Sequence, residues 1–247
     1  MKIVTFNIRC DCEAGTRNAF DNRKAYIREK VLAEQADIIG FQEVLPHVGI
    51  WLQEALADYY VLNCGRGACF DDESVSIAFH KDKYNLLEYH TFWLSDTEDV
   101  PGSRYPEQSI YPRVCSQATF QQRETGKCFT LFNTHLDHES ESARQKGIVK
   151  ILGAMEKSRF PVLLTGDLNT FSGSSVTDLI RLSGMELTDV TKGMGTTFHN
   201  YGDTDEKLDY IYISKAFACK KVCKWTDCYD GVYLSDHYPV CAELEWK

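Results

Sequence analysis

Hydrophobic residues fall along this chain in two rhythms, one of period two and one of about 3.6. Residues 2–9 alternate like a strand, and residues 21–35 then place Ala25, Ile27, Val31, Leu32 and, just beyond, Ala36 at helical spacing behind Asp21 as a cap. Residues 37–43 return to an apolar strand that ends on Glu43, and residues 46–57 predict a helix with Pro46 in its first turn. Residues 75–80 and 85–94 read as paired strands joined by a turn at Lys81-Asp82-Lys83. Residues 95–112 contain Pro101, Pro106 and Pro112 and little periodicity, which predicts a long loop of the kind that often carries function.

Strands over 113–123 and 127–136 form a hairpin across Glu124-Thr125-Gly126. A helix over 141–157, a strand over 161–165 and a shorter helix near 176–182 follow. The tail is β-rich, with strands over 207–214, 218–226 and 238–245. No linker or low-complexity segment divides the chain, so residues 1–247 are read as one domain. There is a faint internal echo. The strand "IVTFNIR", a helix and the strand "IIGFQEV" are matched by "FTLFNTHLD", a helix and "VLLTGDLNT". This pattern predicts an α/β protein of two packed sheets, each partly covered by helices, with ligands at the strand ends.

Composition narrows the classes. With 43% hydrophobic and 26% charged residues the chain has an ordinary globular make-up. No apolar run approaches the roughly 20 residues that a membrane helix needs. The N-terminus enters a strand at once, with no basic segment and apolar h-region, so a cytoplasmic protein is expected unless a leader was removed before Met1. A monomer is expected. The net charge of −9 and the absence of a basic stripe disfavour nucleic acid as partner, although a bound divalent cation reverses a local field. Ten cysteines invite a disulfide or zinc reading. Cys10-x-Cys12 and the Cys219, Cys223, Cys228 series lack paired C-x-x-C spacing, and no histidine spacing completes a zinc set. Reduced thiols are expected, with Cys115, Cys128 and Cys241 acting as small hydrophobes in strands.

The candidate chemistry lies where polar residues interrupt apolar strands at their ends: Asn7, Glu43, His135, Asp167, Asn169, Asp209, Asp236 and His237. Turn formation explains an Asn or Asp singly, but it does not call for Glu or His, and the whole set follows one pattern. In "VLLTGDLNT", Asp167 and Asn169 are expected on one side of an extended chain. The set suits metal-assisted attack on a phosphoester. Glu43 is the first metal ligand, helped by Asn7 and by Asp209, because Mg²⁺ takes one or two carboxylates plus water and substrate phosphate. Asn169 and His135 are donors to phosphoryl oxygens. Asp236 and His237 offer an acid/base unit; alternatively Asp236 serves the metal while another carboxylate orients His237. Arg113 is either a bidentate phosphate contact or a solvated arginine at a strand start, and Arg9 is a weaker candidate. Phe92, Trp93, Tyr105 and Tyr111 are either pocket lining or core. Asp137 and His138 are expected to shape the turn after His135, and Asp71-Asp72-Glu73 to form a solvated acidic loop.

The ordered set "TFNIR", "FQEV", "NTHLDH", "GDLNT", "LDYIYIS" and "SDHYPV" resembles the endonuclease/exonuclease/phosphatase superfamily of metal-dependent phosphoesterases. "GDLNT" is similar to its GDxN box and "SDHYPV" to its SDHxPV box, and the match runs from Lys2 to the end of the chain. The resemblance implies a four-layer α/β sandwich, two mixed sheets packed face to face and flanked by helices. It also implies Asn7 and Glu43 at the metal, His135 on phosphate, Asp167 and Asn169 at the attacking water and transition state, Asp209 orienting, and Asp236-His237 closing the site. It leaves Asp167 and His237 as rival bases. "FDNRKAYI", "FQEVLPH", "TFWLSDTEDVPGS" and "YPRVC" further resemble a little-characterised bacterial branch, which brings no substrate with it.

The leading expectation is a phosphodiesterase dependent on Mg²⁺, or on Mn²⁺, which suits the same oxygen ligands, acting on a small, lipid-like or nucleotide diester. The alternatives are a nuclease, a phosphomonoesterase and a non-catalytic binding module.

Overall fold

The computed structural model describes residues Met1–Lys247. In chain order its strands are β1 (Lys2–Asn7), β2 (Ile38–Gln42), β3 (Tyr59–Leu62), β4 (Ile77–His80), β5 (Tyr84–Trp93), β6 (Val114–Gln122) and β7 (Cys128–His135). There follow β8 (Val162–Asp167), β9 (Thr188–Asp189), β10 (Asp209–Ile213), β11 (Phe217–Lys224), β12 (Cys228–Tyr229), β13 (Val232–Tyr233) and β14 (Val240–Trp246). The helices are α1 (Phe20–Glu34), α2 (Pro46–Ala55), α3 (Glu141–Glu156) and α4 (Ser175–Leu182). Two six-stranded sheets form, in the orders β11-β14-β1-β2-β4-β3 and β5-β6-β7-β8-β10-β9, and β12 with β13 makes a separate hairpin.

Strand alternation explains the layering. In β1, Val4 and Phe6 face outward and pack with Ile27 and Val31 of α1 and Val48 and Leu52 of α2. Ile3 faces inward, where Ile38, Leu131, Leu163 and Ile211 from both sheets form the central core. On the far side, Phe132 and Leu164 pack under Ile148 and Ile151 of α3 and Val176 of α4. The result is the helix–sheet–sheet–helix sandwich that the sequence pattern implied. The internal echo is present as well: β1 and β2 pair in parallel around α1, and β7 and β8 pair in parallel around α3. No helix is long and apolar enough to cross a membrane.

Three expectations are corrected. Residues 77–80 and 84–93 are not paired with each other: β4 pairs with β2 and β3, whereas β5 pairs with β6 in the opposite sheet. The 81–83 turn therefore crosses between sheets, and Phe79 and Tyr84 on either side of it both enter the central core. Asp21 does not cap α1, which begins one residue earlier with Ala19 at the N-cap and no side-chain cap; Asp21 instead pairs with Lys24 on the surface. Nor is the buried stripe of α1 purely apolar, because Arg23 lies on it at 1% exposure while Ala25 is exposed.

Moving along the inner faces, the central layer turns polar before it reaches solvent. The Asn133 carboxamide donates to Phe41 O at 2.8 Å and Ser76 O at 3.0 Å across the sheet–sheet interface, and its oxygen accepts from Gln42 Nε2 at 2.8 Å and Thr165 Oγ1 at 3.1 Å. Every polar atom of Asn133 is thus satisfied, as burial requires. Gly40 makes room for it, since a Cβ there would lie 2.5 Å from Asn133 Oδ1. This polar tier ties the two sheets together directly beneath the strand ends.

Candidate active site

The inner-facing residues one step beyond that tier are Asn7 on β1, His135 on β7, Asp167 on β8 and Asp209 on β10. Register brings them together: His135 pairs with Asp167, and Asp209 lies directly opposite Asp167. Two carboxylates face to face at adjacent strand ends repel unless something sits between them. His237 does so, with Nδ1 2.9 Å from Asp209 Oδ2 and Nε2 3.7 Å from Asp167 Oδ2. A carboxylate only accepts, so Nδ1 carries the proton. Of the two arrangements left open by the sequence, the geometry selects the second: Asp209, and not the adjacent Asp236, orients His237.

Asp167 is the hub. Its Oδ2 accepts from Asn7 Nδ2 at 3.0 Å and lies 3.5 Å from His135 Nε2. The same Asn7 amide donates to Glu43 Oε1 at 2.9 Å, so one carboxamide bridges a carboxylate of each sheet. Glu43 takes the left-handed conformation (φ 63°) at the end of β2, and its Oε2 accepts the Cys10 N–H at 2.8 Å. Asn169 departs from expectation. The strand ends at Asp167, and Asn169 is left-handed (φ 47°), with its N–H donated to Asp167 Oδ1 and its Nδ2 to Leu136 O. The two side chains do not lie along one face of an extended strand; the turn folds Asn169 back over Asp167.

The tail of the chain is held by Ser235, whose hydroxyl donates to Asn7 O at 2.7 Å and accepts the His237 N–H at 3.2 Å. Phe198 packs on the His237 ring at 4.7 Å, and the Thr197 hydroxyl accepts the Asp209 N–H. Asp236 turns to Arg9, 3.4 Å from its Nε, and Arg9 also stands 4.0 Å from Glu43.

Titration follows from this crowding. Burial alone would push the His237 imidazole down, but Asp209, Asp167 and Asp236 outweigh it and hold it well above the ordinary range. Asp167 is raised, first by burial and further by Asp209, against the opposing pull of His237. His135 is driven well below its usual value by burial and by Arg113 and Arg66, so it is neutral. Glu43 stays ionised against burial because the Cys10 N–H, the Asn7 amide and Arg9 all favour its charged form.

These groups line a cavity of about 350 Å³ that also contains Arg66, Glu73, Tyr111, Arg113 and His138. A larger groove of about 800 Å³ lies between α3 and the outer face of β5 and β6; of the candidate residues Phe92 alone lines it, and none of the polar ones does. Arg113 is buried at 5% exposure, which removes the solvated reading. Its Nη2 meets His138 Nδ1 at 2.9 Å, while Nε and Nη1 have no hydrogen-bond partner. Arg66 was not visible as a candidate in the sequence. It is equally buried, pairs with Asp72 and with Glu73 at 2.9 Å, and lies under the Tyr111 ring at 5.0 Å. Glu73 is therefore not part of a solvated acidic loop but faces the cavity, and burial with Glu43 nearby raises it to about 7. Of the four aromatic candidates, Phe92, Trp93 and Tyr105 are buried, whereas Tyr111 is exposed and lines the cavity. Asp137 shapes the turn as expected, accepting the N–H groups of Glu139 and Ser140 and the Ser109 hydroxyl. Neither Arg66 nor Glu73 breaks an apolar strand, so the signal that found the others could not find them.

Three groups of side chains are relevant to a cation. Glu43 with Asn7 and, across Arg9, Asp236 presents oxygen donors only. Asp167, Asp209 and His237 have donor atoms within 4.8 Å of one another but are engaged in their own hydrogen bonds. Cys10, Glu43 and Glu73 form the third group. All ten cysteines are free.

The model of the endonuclease/exonuclease/phosphatase family matches residues 4–237, and the chain belongs to that family. Its members are metal-dependent phosphoesterases. The fold is similar to that of an endonuclease/exonuclease/phosphatase from Bacteroides vulgatus, 29% identical, with a TM-score of 0.94 over 100% of this chain and 98% of that one. It is similar to a mannosyl-6-phosphatase from Bacteroides thetaiotaomicron, 29% identical, with a TM-score of 0.91 and full coverage of both chains (100% each). A curated relative, the uncharacterized protein L388 of Acanthamoeba polyphaga mimivirus, is 28% identical over 273 residues, covering 99% of this chain and 100% of the relative.

Proposed function

We propose that this family member is a divalent-metal-dependent phosphoric ester hydrolase whose preferred substrate is a small phosphomonoester with a hydroxyl-rich leaving group. The observation that carries the reading is the convergence of two buried guanidinium groups, Arg66 and Arg113, on the cavity that holds Asp167 and the His237–Asp209 pair.

Asp167 is placed to accept a proton from the attacking water, because it is raised toward neutral pH and faces the cavity. His237, kept cationic and oriented by Asp209, steadies negative charge on the phosphoryl oxygens, and neutral His135 adds a hydrogen-bond donor. Asn169 positions Asp167 through its backbone N–H. Glu43, Asn7 and Asp236 would hold the cation. The donor set fits a hard ion: each Glu43 oxygen has one hydrogen-bond donor and a lone pair to spare, and Asp236 Oδ2 is met by the half-buried Arg9 side chain. Bound Mg²⁺ or Mn²⁺ neutralises charge on the phosphoryl oxygen and leaving group.

The sequence placed a diester first; the arginines move the preference to a monoester. A monoester carries close to two negative charges at neutral pH, since its second pKa is about 6, and a second guanidinium serves a dianion better than a monoanion. Arg113 Nε faces Asp137 at 3.7 Å, and Nη1, which has no hydrogen-bond partner, is the donor left for such an anion. Glu73 paired with Arg66 offers an acceptor and donors to neighbouring hydroxyls, beside the exposed Tyr111 ring. The likeness to a mannosyl-6-phosphatase supports the same class. The net charge of −9 weighs against a nucleic acid.

The test is hydrolysis of hexose 6-phosphates and p-nitrophenyl phosphate beside bis(p-nitrophenyl) phosphate, with Mg²⁺ or EDTA, for wild type, His237→Ala and Glu43→Ala. Monoester turnover that EDTA and both substitutions abolish is the expected result. Faster diester turnover would restore the diesterase reading, and a folded protein inert on all of them would overturn the hydrolase reading.

A further inference from the structure

At the lip of the cavity, sulfur joins the oxygen ligands. Cys10 Sγ and one carboxylate oxygen from each of Glu43 and Glu73 lie within 4.8 Å of one another, and Cys12 Sγ, outside that cluster, lies 3.2 Å from Cys10 Sγ. The four side chains come from the loop after β1, the end of β2 and the loop before β4, so only the tertiary structure assembles them. Two of them are held in place: Glu43 Oε2 by the Cys10 N–H at 2.8 Å, and Glu73 Oε2 by Arg66 at 2.9 Å. The thiols have no structural task. Cys12 is exposed and Cys10 half-buried, and neither fills a core.

Two thiolates with two carboxylates are the wrong donors for Mg²⁺, which takes oxygen ligands in an octahedron. They are the right number and kind for a four-coordinate, borderline-soft ion. We propose that Cys10, Cys12, Glu43 and Glu73 form a second cation site, selective for Zn²⁺-like thiophilic ions. No residue changes oxidation state: two metal–sulfur bonds form, two S–H bonds break, and both protons pass to solvent. The local spacing of the cysteines gave no zinc signature because half of the ligands lie elsewhere in the chain. The site shares Glu43 with the Mg²⁺ ligands, so Zn²⁺ there inhibits hydrolysis. That consequence rests on the function proposed above, whereas the binding does not.

The experiment uses the full chain, reduced and stripped of metal, titrated with Co²⁺ while thiolate-to-cobalt charge-transfer absorption is followed in the near ultraviolet. One Co²⁺ per chain should produce the band, stoichiometric Zn²⁺ should erase it, and excess Mg²⁺ should leave it. Cys12→Ser should diminish the band and the double substitution Cys10→Ser/Cys12→Ser should remove it. Glu73→Gln should keep the band but weaken affinity by more than about tenfold, since losing even a group that only supports a ligand costs that much and Glu73 is itself a ligand. Because Cys12 is exposed, its substitution does not threaten folding, and Mg²⁺-dependent turnover of Cys12→Ser should persist with its Zn²⁺ inhibition relieved. Absence of the band, or a band unchanged in the double variant, would overturn the proposal whether or not the protein hydrolyses phosphoesters.

Discussion

Asp209 Oδ2 lies 2.9 Å from His237 Nδ1, so the imidazole is aimed by a carboxylate from β10 and not by its chain neighbour Asp236. Asp209→Asn keeps the shape but replaces an obligate acceptor with an amide that can hold the wrong tautomer. Turnover should fall about 10³-fold, within the range for a misaligned acid/base group. The His237 pKa, followed by NMR titration, should drop, because Asp209 is the chief influence holding it up against burial. An unchanged His237 titration would remove Asp209 from this role.

Arg113→Lys retains the charge but loses the planar fork. For a monoester substrate KM should rise by roughly tenfold, the loss of one bidentate contact, with kcat less affected. A diester, which carries a single charge, should lose less. Equal losses for the two substrates would show that Arg113 does not read the second charge.

Arg23 binds four carbonyl groups: Asn18 O and Ile8 O at 2.7 Å, Leu234 O at 2.8 Å and Arg9 O at 3.2 Å. It thereby clamps the loop after β1 to the segment that leads into Ser235, Asp236 and His237. Arg23→Met leaves those carbonyls without donors and should cost about 3 kcal/mol in urea unfolding. A loss below about 1 kcal/mol would mean that water replaces the guanidinium.

Gly40→Ala places a methyl 2.5 Å from Asn133 Oδ1 and 2.6 Å from Thr165 Oγ1, in the tier that joins the sheets. The overpacking should cost about 2 kcal/mol and speed amide exchange at Phe41. Thermal unfolding that matches wild type would show that Asn133 moves aside freely.

His199 is buried against Tyr238, with ring centroids 4.0 Å apart, and is pushed down to about 4 by burial, with His237 and Lys224 adding to the effect. Its unfolded value is near 6.5, so between those limits the unfolded chain binds the proton that the folded one refuses. This contribution to stability is complete above about pH 6.5 and is lost as pH falls toward about 4. His199→Phe keeps the stacking and should flatten that part of the stability profile in urea titrations at successive pH values. An unaltered slope would place the acid sensitivity elsewhere.

Much of this was legible in the sequence. Hydrophobic period placed the long helices and strands, and the repeated strand–helix–strand unit pointed to two packed sheets partly covered by helices. Asn7, His135 and Asp167 at the ends of their strands, and Asp209 at the start of β10, lie on the same strand faces as the inward residues two positions away, which alternation alone gives; the register of the sheets then brings them together. Arg66 and Glu73 were hidden for a complementary reason. They sit in an irregular loop between β3 and β4, where polar residues are the norm and nothing in the local pattern marks one that turns inward. Arg23 was concealed on a helix face where a buried cation runs against composition.

What the sequence by itself determined is where the long strands and helices lie and which residues alternate within a strand, because these depend on neighbours within a few positions; the turn that folds Asn169 back over Asp167 was not among them. Tertiary structure alone decided that β5 leaves the sheet of β4, that Asp209 rather than Asp236 orients His237, and that Cys10 meets Glu43 and Glu73. Each of those is a choice among several competent partners far apart in the chain, and it is made by packing the two sheets into one close-fitting core, which no local preference encodes.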